Sequence, residues 1–298
     1  MKVLITGSTG LIGSALAPFL SAKGHQVIRM VRAATGREQE VAWDPAKDQI
    51  DAGRLEGLDG VVHLAGENIA ARRWSEDQKA RIRDSRVQST LLLSKTLARL
   101  ERPPRVLVSA SAIGYYGDRG EAWLTETSSS GNDFLAQVCR EWEEAAAPAA
   151  QAGIRVVHPR FGVILSPNGG ALAKMLTPFR LGLGGRIGSG RQWISWIAID
   201  DAVGAVYHSL TTDSLHGPVN AVAPNPVTNR DFTKSLGRVL RRPTIFPMPA
   251  FMARLAFGEM ADALLLASAR VEPRVLLDSK YHFLNEDLES ALRHLLGK

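Results

Sequence analysis

A single cysteine, Cys139, stands in the 298-residue chain, so an internal disulfide framework and a multi-cysteine zinc site are both excluded. A lone thiol reads as a small buried side chain in a reducing compartment. Long apolar runs are missing too. The most hydrophobic stretch, FMARLAFGEMADALLLASA, is broken by Arg254, Glu259 and Asp262 and is too short to cross a bilayer. The opening MKVLITGSTG passes from Met1 straight into an apolar strand, with no charged leader segment before it. A cytoplasmic protein without a membrane partner is expected. The net charge of +6 is scattered. Its densest groupings, RIRDSR and ARRW, lack the interleaved aromatics that single-strand binding needs, so no nucleic-acid partner is expected. No His or acid cluster has metal-ligand spacing, so no metal is expected. No internal repeat is present.

What the chain does have is alternation. Short β-branched runs (KVLIT, HQVIRMVR, GVVHLAG, RVLVSASA, IRVVHPRFGVIL) are separated by amphipathic segments such as TLLLSKTLARL and WEEAAAPAAQAG. Continuous apolar strands imply a sheet covered on both faces, hence an α/β, doubly wound parallel Rossmann sheet. From about residue 166 the texture changes to the Gly-rich SPNGGALAKMLTPFRLGLGGRIGSGRQWISW, which suggests a smaller substrate lobe over about 166–195. Pro243, Pro247 and Pro249 in RRPTIFPMPAF mark a boundary before a largely helical tail. The expected division is a nucleotide-binding domain over 1–223 and a C-terminal extension over 244–296.

TGSTGLIG follows the first strand and opens a helix. Gly7, Gly10 and Gly13 would permit a tight turn, close approach to a pyrophosphate and close packing of helix on strand. Ser8, Thr9, Leu11 and Ile12 complete the turn, whose helix N-terminus offers free N–H groups to phosphates. The end of the second strand, where an acid would bind the ribose hydroxyls of NAD, reads VIRMVRAATGR. It offers Arg32, with Arg29 and Arg37 near it, and no Asp or Glu. A guanidinium there would bind a 2′-phosphate, so NADP is expected, with NAD as the alternative.

With TGSTGLIG, DGVVHLAGENI, SASAIGYYG and WIAIDDAVGAV, the chain resembles the extended short-chain dehydrogenase/reductase superfamily, the NAD-dependent epimerase/dehydratase group. It is most similar to the atypical branch labelled epimerase family protein, on HLAGENIA, SRVQST, DFLAQVCREWE, PFRLGLGGRIGSGRQWISWI and GPVNAVAPNPVTN. The resemblance implies that Leu64 and Ala65 run beneath the cofactor's phosphate and ribose, and that Arg86 touches the dinucleotide. In the wider superfamily a Tyr and a Lys four residues apart pass the proton and hold the ribose. Here Phe134 and Val138, or Leu135 and Cys139 one residue on, occupy those places. Tyr115 has Arg119 four residues on, but in a glycine-interrupted loop.

The resemblance leaves Ser111, with Tyr115 and Tyr116, as candidate catalytic residues near the nicotinamide. The alternative for Tyr116 is a structural role in its YG turn. His63 reads as a satisfied buried imidazole, Phe134 as core, and Glu141 and Glu143 as solvent-facing or locally bound. Arg186, Arg191, Gln192, Trp193 and Trp196 are types that would bind an anionic or planar ligand. Ala198 stands where such segments often carry His. Asp200 and Asp201 are expected to hold backbone N–H groups.

Two functions fit. One is an NADP-dependent oxidoreductase or sugar-nucleotide-epimerase-like enzyme of atypical mechanism, acting on a small molecule for which an anionic group is one option. The other is a catalytically silent NADP(H)-binding regulatory protein. A monomer and a homodimer are both compatible with the sequence.

Overall fold

Strand β1 (Lys2–Thr6), helix α1 (Leu11–Ala22) and strand β2 (Gln26–Val31) begin the chain. β1 and β2 pair in parallel, so α1 is a crossover lying on the sheet. The computed structural model describes residues 1–33 and 36–298. β3 (Glu40–Asp44), β4 (Gln49–Ile50) and β5 (Gly60–His63) lead to the long helix α2 (Glu76–Leu97). β6 (Val106–Ser109), β7 (Ser111–Ala112) and β8 (Trp123–Leu124) precede α3 (Phe134–Glu144) and α4 (Ala147–Gln151). β9 (Arg155–Phe161), β10 (Val163–Ser166), α5 (Gly170–Arg180), β11 (Trp193–Ile194), β12 (Trp196–Ala198) and α6 (Ile199–Thr211) follow. Then come β13 (Gly217–Ala221), β14 (Val227–Thr228) and α7 (Asn229–Leu240).

The main sheet runs β13-β9-β6-β5-β1-β2-β3-β4, with β7 beside β9. Among the described residues, β3 with β4 is its one antiparallel pair. From β1 the chain moves one way to β2 and later returns on the other side as β5. The crevice between the ends of β1 and β5 is therefore a topological switch point, where ligands of such sheets gather.

Alternate residues of single strands enter different cores. Val3 and Ile5 join Val62, Val108 and Val157 against Leu16, Leu20 and Val206 on the face of α1 and α6. Leu4 joins Val61, Leu107 and Val156 against Leu93 and Leu97 of α2 and Ala149 of α4. Each buried Val or Leu contributes roughly 1.5–3 kcal/mol, so both faces of the central strands favour burial and the doubly wound arrangement follows. Toward the β2 edge the cover thins: Ile28 and Met30 are buried while Arg29 is exposed.

A third core (Leu172, Leu176, Phe179, Trp196, Phe232, Leu236) builds the smaller lobe. The tail comprises α8 (Ala250–Phe257), α9 (Glu259–Ala261), β15 (Arg270–Val271), α10 (Arg274–Asp278) and α11 (Leu288–Leu296). It folds back on both lobes: β15 pairs with β8, and Leu288 and Leu292 enter the smaller lobe's core. Asp201, fully buried, clasps it by accepting from Leu284 N at 2.7 Å and from Asn285 N and Nδ2 at 3.0 Å each. No helix among the described residues is long and apolar enough to cross a membrane.

Candidate cofactor and active site

Gly7 closes the turn after β1 with φ +63°. A Cβ there would stand 2.7 Å from the carbonyl of Leu64, and one on Gly13 would stand 2.3 Å from Gly7 O. Glycine is thus required for the turn to meet both the β5 loop and α1. Gly10 caps α1, and the helix has no acid in its first turn and no side-chain cap. The N–H groups of Leu11, Ile12 and Gly13 have no acceptor within the helix. Ser8 is buried beneath the turn, whereas Thr9 and Gly10 are exposed. Open donors at a bare helix N-terminus, beside the switch point, fit a dinucleotide pyrophosphate.

The opposite wall is held by His63. The Thr6 hydroxyl accepts from Leu64 N and Ala65 N at 3.1 Å each and lies 2.8 Å from His63 Nδ1. Thr6 therefore donates to Nδ1, and Nε2–H of the ring donates to Thr90 Oγ1 at 2.9 Å. Burial pulls the His63 pKa down to about 3, so the ring stays neutral. It fixes Leu64 and Ala65, and takes no part in proton transfer.

Arg32 is exposed just past the end of β2. It lines the mouth of a groove of about 950 Å³ that runs past Trp43, Asp44 and Ile50 to Glu56 and Glu101. The groove's lining includes no residue of the glycine turn.

Arg86 reaches in from α2. Its guanidinium donates to Ile82 O at 3.0 Å and lies 5.0 Å from the centre of the Trp142 ring. A Cβ on Gly66 would stand 3.2 Å from it. Burial pulls its pKa down, while the Cys139 thiol and Glu67 act in the opposite sense. α3 supplies the facing surface. A Cβ on Gly114 would stand 3.3 Å from Leu135 Cβ and 3.8 Å from Cys139 Sγ, so Leu135 and Cys139 are the pair turned toward the loop after β7. The thiol donates to Ala112 O at 3.7 Å, and burial pushes its pKa up to about 12. Phe134, expected in the core, is instead half-buried and packs edge-on against Trp74 at 5.4 Å.

Ser111 is buried and donates to Glu143 Oε1 at 2.6 Å. Its hydroxyl is turned to α3 and committed there. Arg160 holds the same carboxylate with Nε and a terminal nitrogen, at 2.8 Å each. Glu143, expected to face solvent or bind locally, is half-buried and pairs with the buried Arg160. Arg160 also donates to the Tyr116 hydroxyl at 3.1 Å, and that hydroxyl donates to Asn220 Oδ1 at 2.6 Å. Burial pushes the Tyr116 pKa up to about 12 against the opposing charge of Arg160. Fully buried and saturated, Tyr116 is a structural side chain, which corrects its candidacy as proton donor.

Tyr115 differs. It is half-buried, lies under the Arg160 guanidinium at 3.5 Å, and its hydroxyl makes no hydrogen bond among the described residues. Sequence reading missed Arg160 and Asn220. The signal was an Arg inside the apolar strand VVHPRF, since a buried charge needs a partner.

The smaller lobe also corrects expectations. Trp196 is fully buried and donates to Asn225 O, and Gln192 spends its amide on Ile187 O and Leu265 O. Neither is presented to a ligand. Arg186 donates to the carbonyls of Gly188 and Ser189, and Arg191 is exposed. Trp193 stacks on Arg270 at 4.0 Å, with Trp123 on its other face at 3.9 Å. Lys174 of α5 donates to Ala70 O, and Lys79 pairs with Glu259 at 3.1 Å. The lobe thus reaches the loop after β5, and the tail reaches the start of α2. No group of three or more potential metal ligands occurs among the described residues.

The profile of the NAD dependent epimerase/dehydratase family matches residues 3–222, and that of a Domain of unknown function (DUF1731) matches residues 248–295. The chain is 45% identical over 290 residues to Epimerase family protein Mb2239 of Mycobacterium bovis, covering 97% of this chain and 96% of that one. It is 38% identical over 301 residues to the human Epimerase family protein SDR39U1, covering 100% of each. The crystal structure of human SDR39U1 (isoform2) with NADPH superposes with a TM-score of 0.93 at 36% identity, covering 100% of each chain.

Proposed function

The chain belongs to the NAD dependent epimerase/dehydratase family, and we propose that it is an NADP-dependent oxidoreductase or epimerase in which Tyr115 and Arg86 take over from the missing Tyr–Lys pair. The observation that carries this reading is the setting of Arg86: a cation brought in by α2 against Gly66 of the loop after β5 and lying 5.0 Å from the Trp142 ring of α3. It is supported by the open N–H groups of α1, by Arg32 in a β2 end whose sequence, VIRMVRAATGR, carries no acid, and by the NADPH in the human relative's crystal structure.

The nicotinamide, when bound, would supply the hydride as NADPH or accept it as NADP+. Arg86 would hold its ribose and phosphate charge from the α2 side, the α1 N-terminus would hold the pyrophosphate, and Arg32 would hold the 2′-phosphate. Tyr115 would give its hydroxyl proton to the carbonyl oxygen of a substrate as that oxygen gains charge, or take it back in the reverse direction. Ser111 does not touch substrate in this account. It positions Glu143, which fixes Arg160 over the Tyr115 ring.

The test is NADPH oxidation, followed by nicotinamide absorbance, with a panel of small carbonyl compounds and nucleotide-linked sugars. Turnover in the wild type that is lost in Tyr115→Phe supports the reading. The replacement of Tyr and Lys by Leu135 and Cys139 favours the second reading, a silent NADP(H)-binding regulator. Tight NADPH binding without turnover across the panel would select it.

A further inference from the structure

Between α7 and α9 the chain turns its large apolar side chains outward. Ile245, Phe246, Phe251 and Leu255 are 54–75% exposed, and so are Leu181 and Leu183, at 69% and 58%, on the neighbouring loop. The two segments form one ribbon. Met248 N donates to Arg186 O at 2.9 Å and Gly188 N to Met248 O at 2.8 Å. A Cβ on Gly185 would overlap Phe246 O, at 1.8 Å. Arg242 donates to Arg180 O and ties the far end. A continuous apolar face of this kind marks an interaction surface.

Its charge says what it meets. From Ala145 to Ile199 the sequence has no Asp or Glu, and from Phe232 to Gly258 it has none either. The cations at the patch are Arg180, Arg186, Arg241, Arg242 and Arg254. Arg254 alone of these pairs with an acid among the described residues, Asp262 at 2.9 Å. The acid nearest along the chain, Glu259, is held by Lys79. A second copy docked about a two-fold axis would bring these arginines against their own like charges. An apolar face rimmed chiefly by cations, four of the five without an acid partner among the described residues, is complementary to a surface of apolar chains beneath anionic headgroups.

We propose that this face lies on an anionic lipid bilayer, with Ile245, Phe246, Phe251 and Leu255 in the boundary between headgroups and acyl chains and Arg180, Arg241 and Arg242 on lipid phosphates. Sequence reading expected no membrane partner because no run can span a bilayer. A face that rests on one needs no such run. Glu259, which follows α8 and is paired with Lys79 of α2, then sits near the bilayer surface.

The test is co-sedimentation of the full chain with vesicles of phosphatidylcholine alone and of phosphatidylcholine with an equal share of phosphatidylglycerol. Binding to the anionic vesicles is expected, falling with salt and weak on neutral ones. Arg241→Gln with Arg242→Gln lowers it roughly thirtyfold, on the order of fivefold for each cation near the surface. Phe251→Ser with Leu255→Ser abolishes it, and NADPH affinity stays unchanged in that exposed-surface variant. Absence of binding to either vesicle overturns the proposal. So does a concentration-dependent dimer in sedimentation velocity that the Phe251→Ser, Leu255→Ser variant dissociates, because the occupant is then a second copy.

Discussion

The guanidinium of Arg160 lies 3.5 Å from the centre of the Tyr115 ring, and this contact sets two adjacent tyrosines apart. Tyr116 gives its hydroxyl to Asn220 and receives Arg160, while Tyr115 gives Arg160 only its ring face and keeps its hydroxyl. Cation and ring hold the phenol in one orientation at little entropic cost, as preorganised proton transfer requires.

Tyr115→Phe should lower turnover by roughly 10²–10⁴-fold, the usual share of a general acid, while NADPH affinity stays within twofold of wild type, about 0.4 kcal/mol. Tyr116→Phe should do the reverse. It costs about 1–3 kcal/mol of stability by leaving the buried Asn220 Oδ1 without its donor, with kcat preserved in the folded fraction. Denaturant titration and steady-state kinetics on the two variants separate the roles.

Arg160→Met leaves the half-buried Glu143 carboxylate with the Ser111 hydroxyl but without its cation. A loss of about 1–3 kcal/mol in unfolding free energy is expected, because Glu143 loses its charge-assisted bonds and the buried Tyr116 hydroxyl loses a donor. The double variant Arg160→Met, Glu143→Leu should recover part of that loss. A double variant no more stable than Arg160→Met alone contradicts the ion-pair account.

His63 gives a pH dependence with a definite sign. Its pKa falls from the usual 6.5 to about 3 on folding, so below pH 6.5 the unfolded chain binds a proton that the fold refuses. The stability is therefore complete above about 6.5, erodes as the pH falls, and is exhausted near 3. The slope is about 1.4 kcal/mol per pH unit for one such proton. His158 is buried and depressed too, so the wild-type slope is steeper than one proton's. His63→Gln, which can still bond Thr6 and Thr90, should flatten the unfolding free energy between pH 6 and 4 by about 1.4 kcal/mol per unit. Chemical denaturation across that range reads it directly.

Much of this was legible in the residues. Continuous strands such as VLIT and VVH announced a sheet covered on both sides, and Gly7 and Gly13 stood where any Cβ would strike Leu64 or Gly7 itself. The environments of individual polar groups were not legible. Ser111 and Glu143 are thirty-two residues apart, and nothing local says that a strand-end hydroxyl turns toward the last turn of α3. Trp196 and Gln192 were chemically suited to a ligand, but the fold spends both on its own carbonyls. Asp201 was expected to hold backbone, and does, yet the segment it holds lies 83 residues on. Register across long sequence separation is a tertiary property, which local pattern does not encode.

The central claim is a dinucleotide crevice built from the α1 N-terminus, Arg32 and Arg86. Titration of the purified chain with NADPH and NADH, by nicotinamide fluorescence, in wild type, Arg32→Ala and Arg86→Ala, tests it most directly. The account predicts that NADPH binds at least about tenfold tighter than NADH, roughly 1.4 kcal/mol. Arg32→Ala should erase that preference, and Arg86→Ala should weaken both nucleotides alike. Equal affinity for the two nucleotides in wild type, or no binding of either below about millimolar, would contradict it.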